Sequence, residues 1–253
     1  MQEITEIISS YSPVAWMLTL LASFIIGCSK AGLKGIDMMN VTIMALVFGG
    51  KASTGIVLPL LCVADIIAVI YYHRHAEWHH FWKLMPWMVV GILTGVFIGK
   101  DLDEVIFRRI MATIIILTAV IMVALELRKN PVMPSNRFFG VLMGLVSGFT
   151  TMLGNLAGAF SNIYFLAMRV PKNSFIGTAA WVFLVINFFK LPFQVIFWKN
   201  IDSTSLLTDL LLLPTLLLGF RAGLWIVSRI KDDSYRKVVI VLTLAGALVI
   251  FLK

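Results

Sequence analysis

The 253-residue sequence predicts an all-α polytopic membrane protein, built as two inverted-topology repeats of about five helical segments each. Three observations carry that expectation. Hydrophobic residues make up 60% of the chain and charged residues 13%, where a soluble domain carries about a quarter charged residues. Apolar windows run along the whole length, with a mean hydropathy of +0.95, which excludes a single anchor on a soluble body. Two apolar stretches, one in each half, are interrupted by a glycine-rich polar knot.

Ten apolar segments can be read in order. The first repeat, residues 1–130, holds 13–29, 36–50, 52–72, 84–99 and 108–126. The second, residues 131–253, holds 138–153, 155–168, 174–198, 205–227 and 236–252. A spanning helix needs about 20 residues. The first two segments of each half are shorter, so they form either two thin spans or a hairpin that enters and leaves on one face. The remaining topology is the same in both cases. The stretch Met1 to Ser12 contains Glu3 and Glu6 and no Lys or Arg, so it lacks the positive region of a signal peptide.

Charge sets the orientation. The net charge of +8 sits mainly in short loops, which is the pattern of topology signals and not of nucleic-acid binding. Loops at 73–83, 127–137, 169–173 and 228–237 alternate onto one side and carry eleven positive residues. These are Arg74, Lys83, Arg128, Lys129, Arg137, Arg169, Lys172, Arg229, Lys231, Arg236 and Lys237. The opposite side receives six: Lys51, Lys100, Arg108, Arg109, Lys199 and Lys253, with Asp101, Asp103 and Glu104 among them. The richer side is expected to be cytoplasmic, in a multi-pass protein of the cell (inner) membrane with both termini extracytoplasmic.

The knots carry the chemistry. The first reads Gly27-Cys28-Ser29-Lys30-Ala31-Gly32-Leu33-Lys34-Gly35, and the second Thr150-Thr151-Met152-Leu153-Gly154-Asn155-Leu156-Ala157-Gly158. Irregular backbone at membrane depth survives only where protein or a water-filled cavity shields it. Paired interrupted segments in two halves point to a substrate site between them. A charged residue at the bilayer centre costs on the order of 3 kcal/mol, so Lys30 and Lys34 need a partner or a task. Their bland reading is as aqueous markers of the cytoplasmic side. Ser29, Thr150, Thr151 and Asn155 offer hydroxyls and an amide to an oxyanion. Helix starts after the breaks at Gly32 and Gly154 would add N–H donors.

Further polar residues lie inside apolar segments. Asp65 is read as a coupling or gating carboxylate that carries a proton or balances a lysine; the equal alternative is that it only ties helices together. Asn187 and Lys190 sit in the matching segment and are expected to face inward. Asp209 and Arg221 are expected to be anchors snorkelling toward their helix ends. Cys28 either lines the site or packs, and Cys62 reads as a buried apolar residue. His73, His75, His79 and His80 cluster with Trp78, Phe81 and Trp82 in what reads as an interfacial amphipathic turn rather than a metal site. No metal and no cofactor are expected.

The halves match at a fixed spacing. Gly32 and Gly154, Gly55 and Gly177, and Asp65 and Asn187 are each 122 residues apart. Each half crosses an odd number of times, so the halves point in opposite directions.

These residues resemble the sulfite exporter family, TauE/SafE. The first half carries Gly27-x-Ser29-Lys30-x-Gly32, Lys51-Ala52-Ser53-Thr54-Gly55, Leu58-Pro59-Leu60-Leu61, Asp65, Tyr71-Tyr72-His73-Arg74-His75, Trp78 and Leu84-Met85-Pro86, before Gly91 and Gly95. Gly144-Leu145-Val146-Ser147-Gly148-Phe149, Pro171-Lys172, Gly177-Thr178, Asn187 and Lys190 are similar to the family's second repeat. The resemblance implies transport of small anions such as sulfite, thiosulfate or an organosulfonate. The bottom-up reading agrees in sign, since the knots combine cations with neutral donors. The expected partners are a small anionic substrate, the lipid bilayer and a coupled proton, without nucleic acid. An anion channel and a carrier of small carboxylates are the alternatives. An enzyme is not expected, because no nucleophile–base pair, paired carboxylates or nucleotide motif is present.

Overall fold

A computed structural model describes residues 11–127 and 137–251. Arg128, Lys129 and Lys253 of the orientation argument, and the acidic start of the chain, lie outside the described residues. The regular structure of the described residues is helical throughout, with ten α-helices. They are α1 (Pro13–Lys30), α2 (Asp37–Phe48), α3 (Gly50–Tyr72), α4 (Trp78–Lys100) and α5 (Glu104–Leu127). The second half follows with α6 (Arg137–Gly154), α7 (Ala157–Ala167), α8 (Lys172–Pro192), α9 (Ser203–Arg229) and α10 (Asp232–Phe251).

Local chemistry sets the ends. Ser12 caps α1, its hydroxyl accepting from the Ala15 N–H at 3.2 Å, and Pro13 takes the first helical position, where a missing N–H costs nothing. A capping box opens α9: Asp202 accepts from the Ser205 N–H at 2.7 Å, and its own N–H donates to the Ser205 hydroxyl at 3.0 Å. Pro192 ends the regular part of α8, and a π-helical turn follows over Phe193–Phe197.

Among the described residues, six helices are long and apolar enough to cross a membrane: α1, α3, α4, α5, α8 and α9. The 12 residues of α2 and the 11 of α7 span only about 18 Å and about 17 Å, short of a hydrocarbon core of about 30 Å. Each packs back on the helix before it, α2 on α1 and α7 on α6.

The two halves interlock. α1 lies along α9 and α6 along α4, while α3 crosses α8 and α5 meets α10. Small residues allow the first two approaches. A Cβ on Gly27 would strike the Leu216 carbonyl, and one on Gly148 would strike the Met88 carbonyl. Gly55 on α3 is covered by the Asn200 backbone, and Gly177 on α8 by the backbone of Tyr72 and His75. Met44, Leu60, Met88, Ile92, Phe165, Phe175 and Ile186 belong to one buried apolar cluster. Met17, Ile70, Trp82, Phe97 and Leu218 are exposed outward, as lipid-facing side chains should be.

Two expectations need correction. The histidines do not share one loop. α4 already begins at Trp78, so His79, His80 and Lys83 belong to the helix, and only His73 and His75 remain in a 3-10 turn. Aromatic and basic residues continue a helix into the interfacial layer, where an apolar window stops too early. Asp209 is not a snorkelled anchor. It lies seven residues into α9, is 5% exposed, and both carboxylate oxygens are buried without a hydrogen-bond partner among the described residues. Arg221 is exposed.

Candidate functional site

The first knot separates α1 from α2 over residues 31–36. Gly32 and Gly35 adopt positive φ angles of 120° and 102°, which a side chain would resist. The break frees carbonyls that must find donors away from water. Two tyrosines supply them: the Tyr72 hydroxyl donates to the Ala31 carbonyl at 2.8 Å, and the Tyr235 hydroxyl donates to the Gly32 carbonyl at 2.7 Å. The Gly35 N–H donates to Asp37 at 2.9 Å.

The second knot is tighter. α6 ends at Gly154 and α7 begins at Ala157. The left-handed position is taken by Asn155, with φ 56°, not by Gly154, which ends the helix. The Asn155 side-chain amide donates to the Thr54 carbonyl at 3.0 Å and so ties the knot to α3. The Thr150 hydroxyl lies between the Ser147 carbonyl at 3.2 Å and the Leu156 carbonyl at 3.3 Å.

Buried charge links both knots to α3 and α8. The Lys30 ammonium donates to Asp65 Oδ1 at 2.5 Å, and Asn187 donates to Asp65 Oδ2 at 2.6 Å. Asp65 is fully buried, Lys30 is 7% exposed and Asn187 is 3% exposed. The two residues noted above for their 122-residue spacing thus touch each other. Lys190 mirrors the arrangement with the charge moved: its ammonium donates to Asn155 Oδ1 at 2.6 Å, to the Thr151 carbonyl at 3.0 Å and to the Thr151 hydroxyl at 3.1 Å. One lysine sits on a knot and reaches α3; the other sits on α8 and reaches a knot. Lys30 and Lys34 also flank one ring, their ammonium groups 4.8 Å and 5.2 Å from the centroid of Phe183.

Between the knots lies a cavity of about 30 Å³. That is room for roughly two water molecules. Ser29, Lys30, Thr151, Asn155 and Asn187 line it, and these are five of the residues expected at a site. Gly32, Lys34, Thr150 and Gly154 are not among the lining residues; Asp65 and Lys190 are not either, but are hydrogen-bonded to residues that are. Cys28 packs, its thiol donating to the Gly219 carbonyl at 3.1 Å.

The lining also includes residues that sequence reasoning passed over. Asp37, Asn40 and Phe183 face the cavity, together with Leu61. A signal was available for Asn40. Asn162 lies 122 residues further on, and both side-chain oxygens are buried without a hydrogen-bond partner among the described residues.

The arrangement suits an anion better than a chemical reaction. Three lysines, Lys30, Lys34 and Lys190, and two carboxylates, Asp65 and Asp37, gather around the knots together with neutral hydroxyl and amide groups. A buried ammonium next to neutral donors binds an oxyanion through charge-assisted hydrogen bonds. Away from this site, Glu77, His79 and His80 bring ligand atoms within 4.8 Å of one another. His80 Nδ1 is 2.9 Å from the Tyr164 hydroxyl, and His80 Nε2 is 3.6 Å from Glu77.

The comparisons agree with the motif reading. The family model described as Sulfite exporter TauE/SafE matches residues 19–250, nearly the whole chain. No curated protein and no solved structure matches it.

Proposed function

The chain belongs to the sulfite exporter TauE/SafE family, and from that membership we propose that it exports a small sulfur oxyanion by alternating access around the cavity between its knots. Membership makes it a multi-pass membrane transporter of sulfur anions and not an enzyme. Sulfite, thiosulfate and a short organosulfonate are the proposed substrates.

One observation carries the reading: the Lys30 ammonium, 7% exposed, lies beside Ser29, Thr151, Asn155 and Asn187 in a cavity bounded by both knots. An entering oxyanion competes with Asp65 for Lys30. When Lys30 turns to the anion, Asp65 loses its cation and takes up a proton, so the buried charge stays balanced. Substrate and proton then occupy neighbouring groups. Asn187 holds Asp65 in place throughout, and Lys190 holds the second knot.

Alternating access requires two halves that exchange roles. The interlocked packing of α1 on α9 and of α6 on α4 supports two inverted repeats, residues 1–130 and 131–253. So does the direct bond between Asp65 and Asn187. In this reading the break between α1 and α2 and the break between α6 and α7 meet at the site. The small volume of the cavity supports a gated carrier over a channel. Reconstituted protein should therefore show slow, saturable flux and no unitary currents.

A binding panel tests the substrate. Purified protein should gain thermal stability with sulfite, thiosulfate or sulfoacetate, and less with sulfate or short carboxylates. A larger shift with acetate or lactate than with any sulfur anion overturns the sulfur assignment.

Topology is open to a separate check. Cysteines introduced at Gln2 and at Lys253 should both react with an impermeant reagent in intact cells. Protection of both reverses the orientation.

A further inference from the structure

A second cavity, of about 300 Å³, opens where α7 runs into α8 and α9 into α10. Arg169, Lys172 and Arg236 line it, with Asp232 as the carboxylate among the described lining residues. Lys172 is engaged: its ammonium donates to the Ile230 carbonyl at 2.7 Å and lies 3.4 Å from Asp232. Among the described side chains, neither Arg169 nor Arg236 forms an ion pair. Both arginines belong to the face richer in positive charge.

The floor of this cavity is aromatic. Phe175 and Tyr235 meet edge to face, with ring centroids 5.7 Å apart. Beyond them lies the first knot, because the Tyr235 hydroxyl is the group that donates to the Gly32 carbonyl. Ile176 also reaches Gly32. A single layer of side chains therefore separates the basic cavity from the knot that carries Lys30.

The opposite end of the molecule shows what such a place accepts. There, at the start of α3, Glu104 at the start of α5 accepts from the Gly50 N–H, and from the Lys51 N–H at 3.2 Å. Arg108 adds a donor to the same carboxylate at 2.6 Å. On the repeat reading, the starts of α3 and α5 correspond to those of α8 and α10. At one end a carboxylate of the chain itself fills the place; at the other, Asp232 turns to Lys172 and the cavity stays open.

We infer that Arg169, Lys172 and Arg236 form a receiving site for the transported oxyanion, one step before the cavity between the knots. The inference rests on the transporter reading above. Guanidinium groups match tetrahedral and pyramidal oxyanions through paired N–H donors. A basic funnel raises the local anion concentration and the rate of capture. The phosphate of a phospholipid has the same chemistry, so the test must separate the two sources.

The test uses Arg169→Gln/Arg236→Gln in two backgrounds. In proteoliposomes supplied with sulfite on the basic face, the double variant should show a KM about tenfold above the parent at low ionic strength. The gap should narrow as salt screens the field. In Lys30→Met protein, whose inner site is disabled, sulfite should still raise the melting temperature, and adding the double substitution should remove that rise. An unchanged KM, or no residual rise in Lys30→Met protein, overturns the receiving site and leaves the inner site standing. If Lys30→Met binds sulfite as the parent does and only the arginine changes abolish binding, the inner site falls and the receiving site stands. A defect confined to vesicles with anionic lipid, and absent in purely zwitterionic ones, makes the occupant a lipid phosphate and overturns the inference.

Discussion

Lys30→Met is expected to weaken sulfite binding by roughly ten- to a hundredfold. A hydrogen bond to a charged group contributes about 1.5–3 kcal/mol, and about 1.4 kcal/mol corresponds to a factor of ten. Methionine keeps an apolar stem and deletes the ammonium, which lies 4.8 Å from the Phe183 ring centroid. The change also strips Asp65 of its 2.5 Å cation partner. The control is therefore Lys30→Met/Asp65→Asn, which leaves neutral groups on both sides of the former pair. That double variant should fold as the parent does and still bind poorly. Lys30→Arg keeps the charge but presents a planar fork, and should bind with altered preference among anions. Isothermal titration of each purified variant reads the effect. Parent-like affinity in both methionine variants moves the site away from Lys30.

Asp65→Ala should cost stability on the order of 3–5 kcal/mol, because it leaves a buried ammonium without its anion. Asn187 loses its acceptor at the same time. Thermal unfolding in detergent measures this, and a variant as stable as the parent contradicts it. Asp65→Asn is the informative companion. It retains size and a hydrogen bond to Asn187 but cannot carry a proton. If Asp65 exchanges its lysine for a proton during transport, Asp65→Asn should bind sulfite yet lose the pH dependence of flux. Retained pH dependence would place the coupled proton elsewhere and reduce Asp65 to a helix tie.

Much of the architecture was legible because lipid imposes a strong constraint on sequence. All ten apolar segments correspond to helices, since an apolar run in a bilayer has few other ways to satisfy its backbone. Their ends were less legible. Trp78, His79 and His80 look like loop by hydropathy and are helix by hydrogen bonding. The location of the knots was readable from glycine and polar residues inside apolar runs. Which residue takes the left-handed position was not: Asn155 serves in the second knot because asparagine tolerates that conformation better than most side chains. The spacing of 122 identified Asp65 and Asn187 as related, yet nothing in a linear sequence says that α3 and α8 cross where they stand. The same holds for Lys190, whose contacts depend on the rotation of α8 about its axis. Asp37, Asn40 and Asp209 were missed or misplaced because their roles depend on helix rotation and depth, which hydropathy does not resolve.

The hydrogen bond between Asp65 and Asn187 has an energetic consequence. On the repeat reading, residues that correspond and also touch must straddle the pseudo-two-fold axis. With identical residues on both sides, the forms open to opposite faces would be degenerate by symmetry. Here one side carries a carboxylate and the other an amide, and the lysines sit on α1 in one half and α8 in the other. That mismatch lifts the degeneracy. On the alternating-access reading, this pair is one of the differences between the halves that would favour one facing direction before any gradient acts.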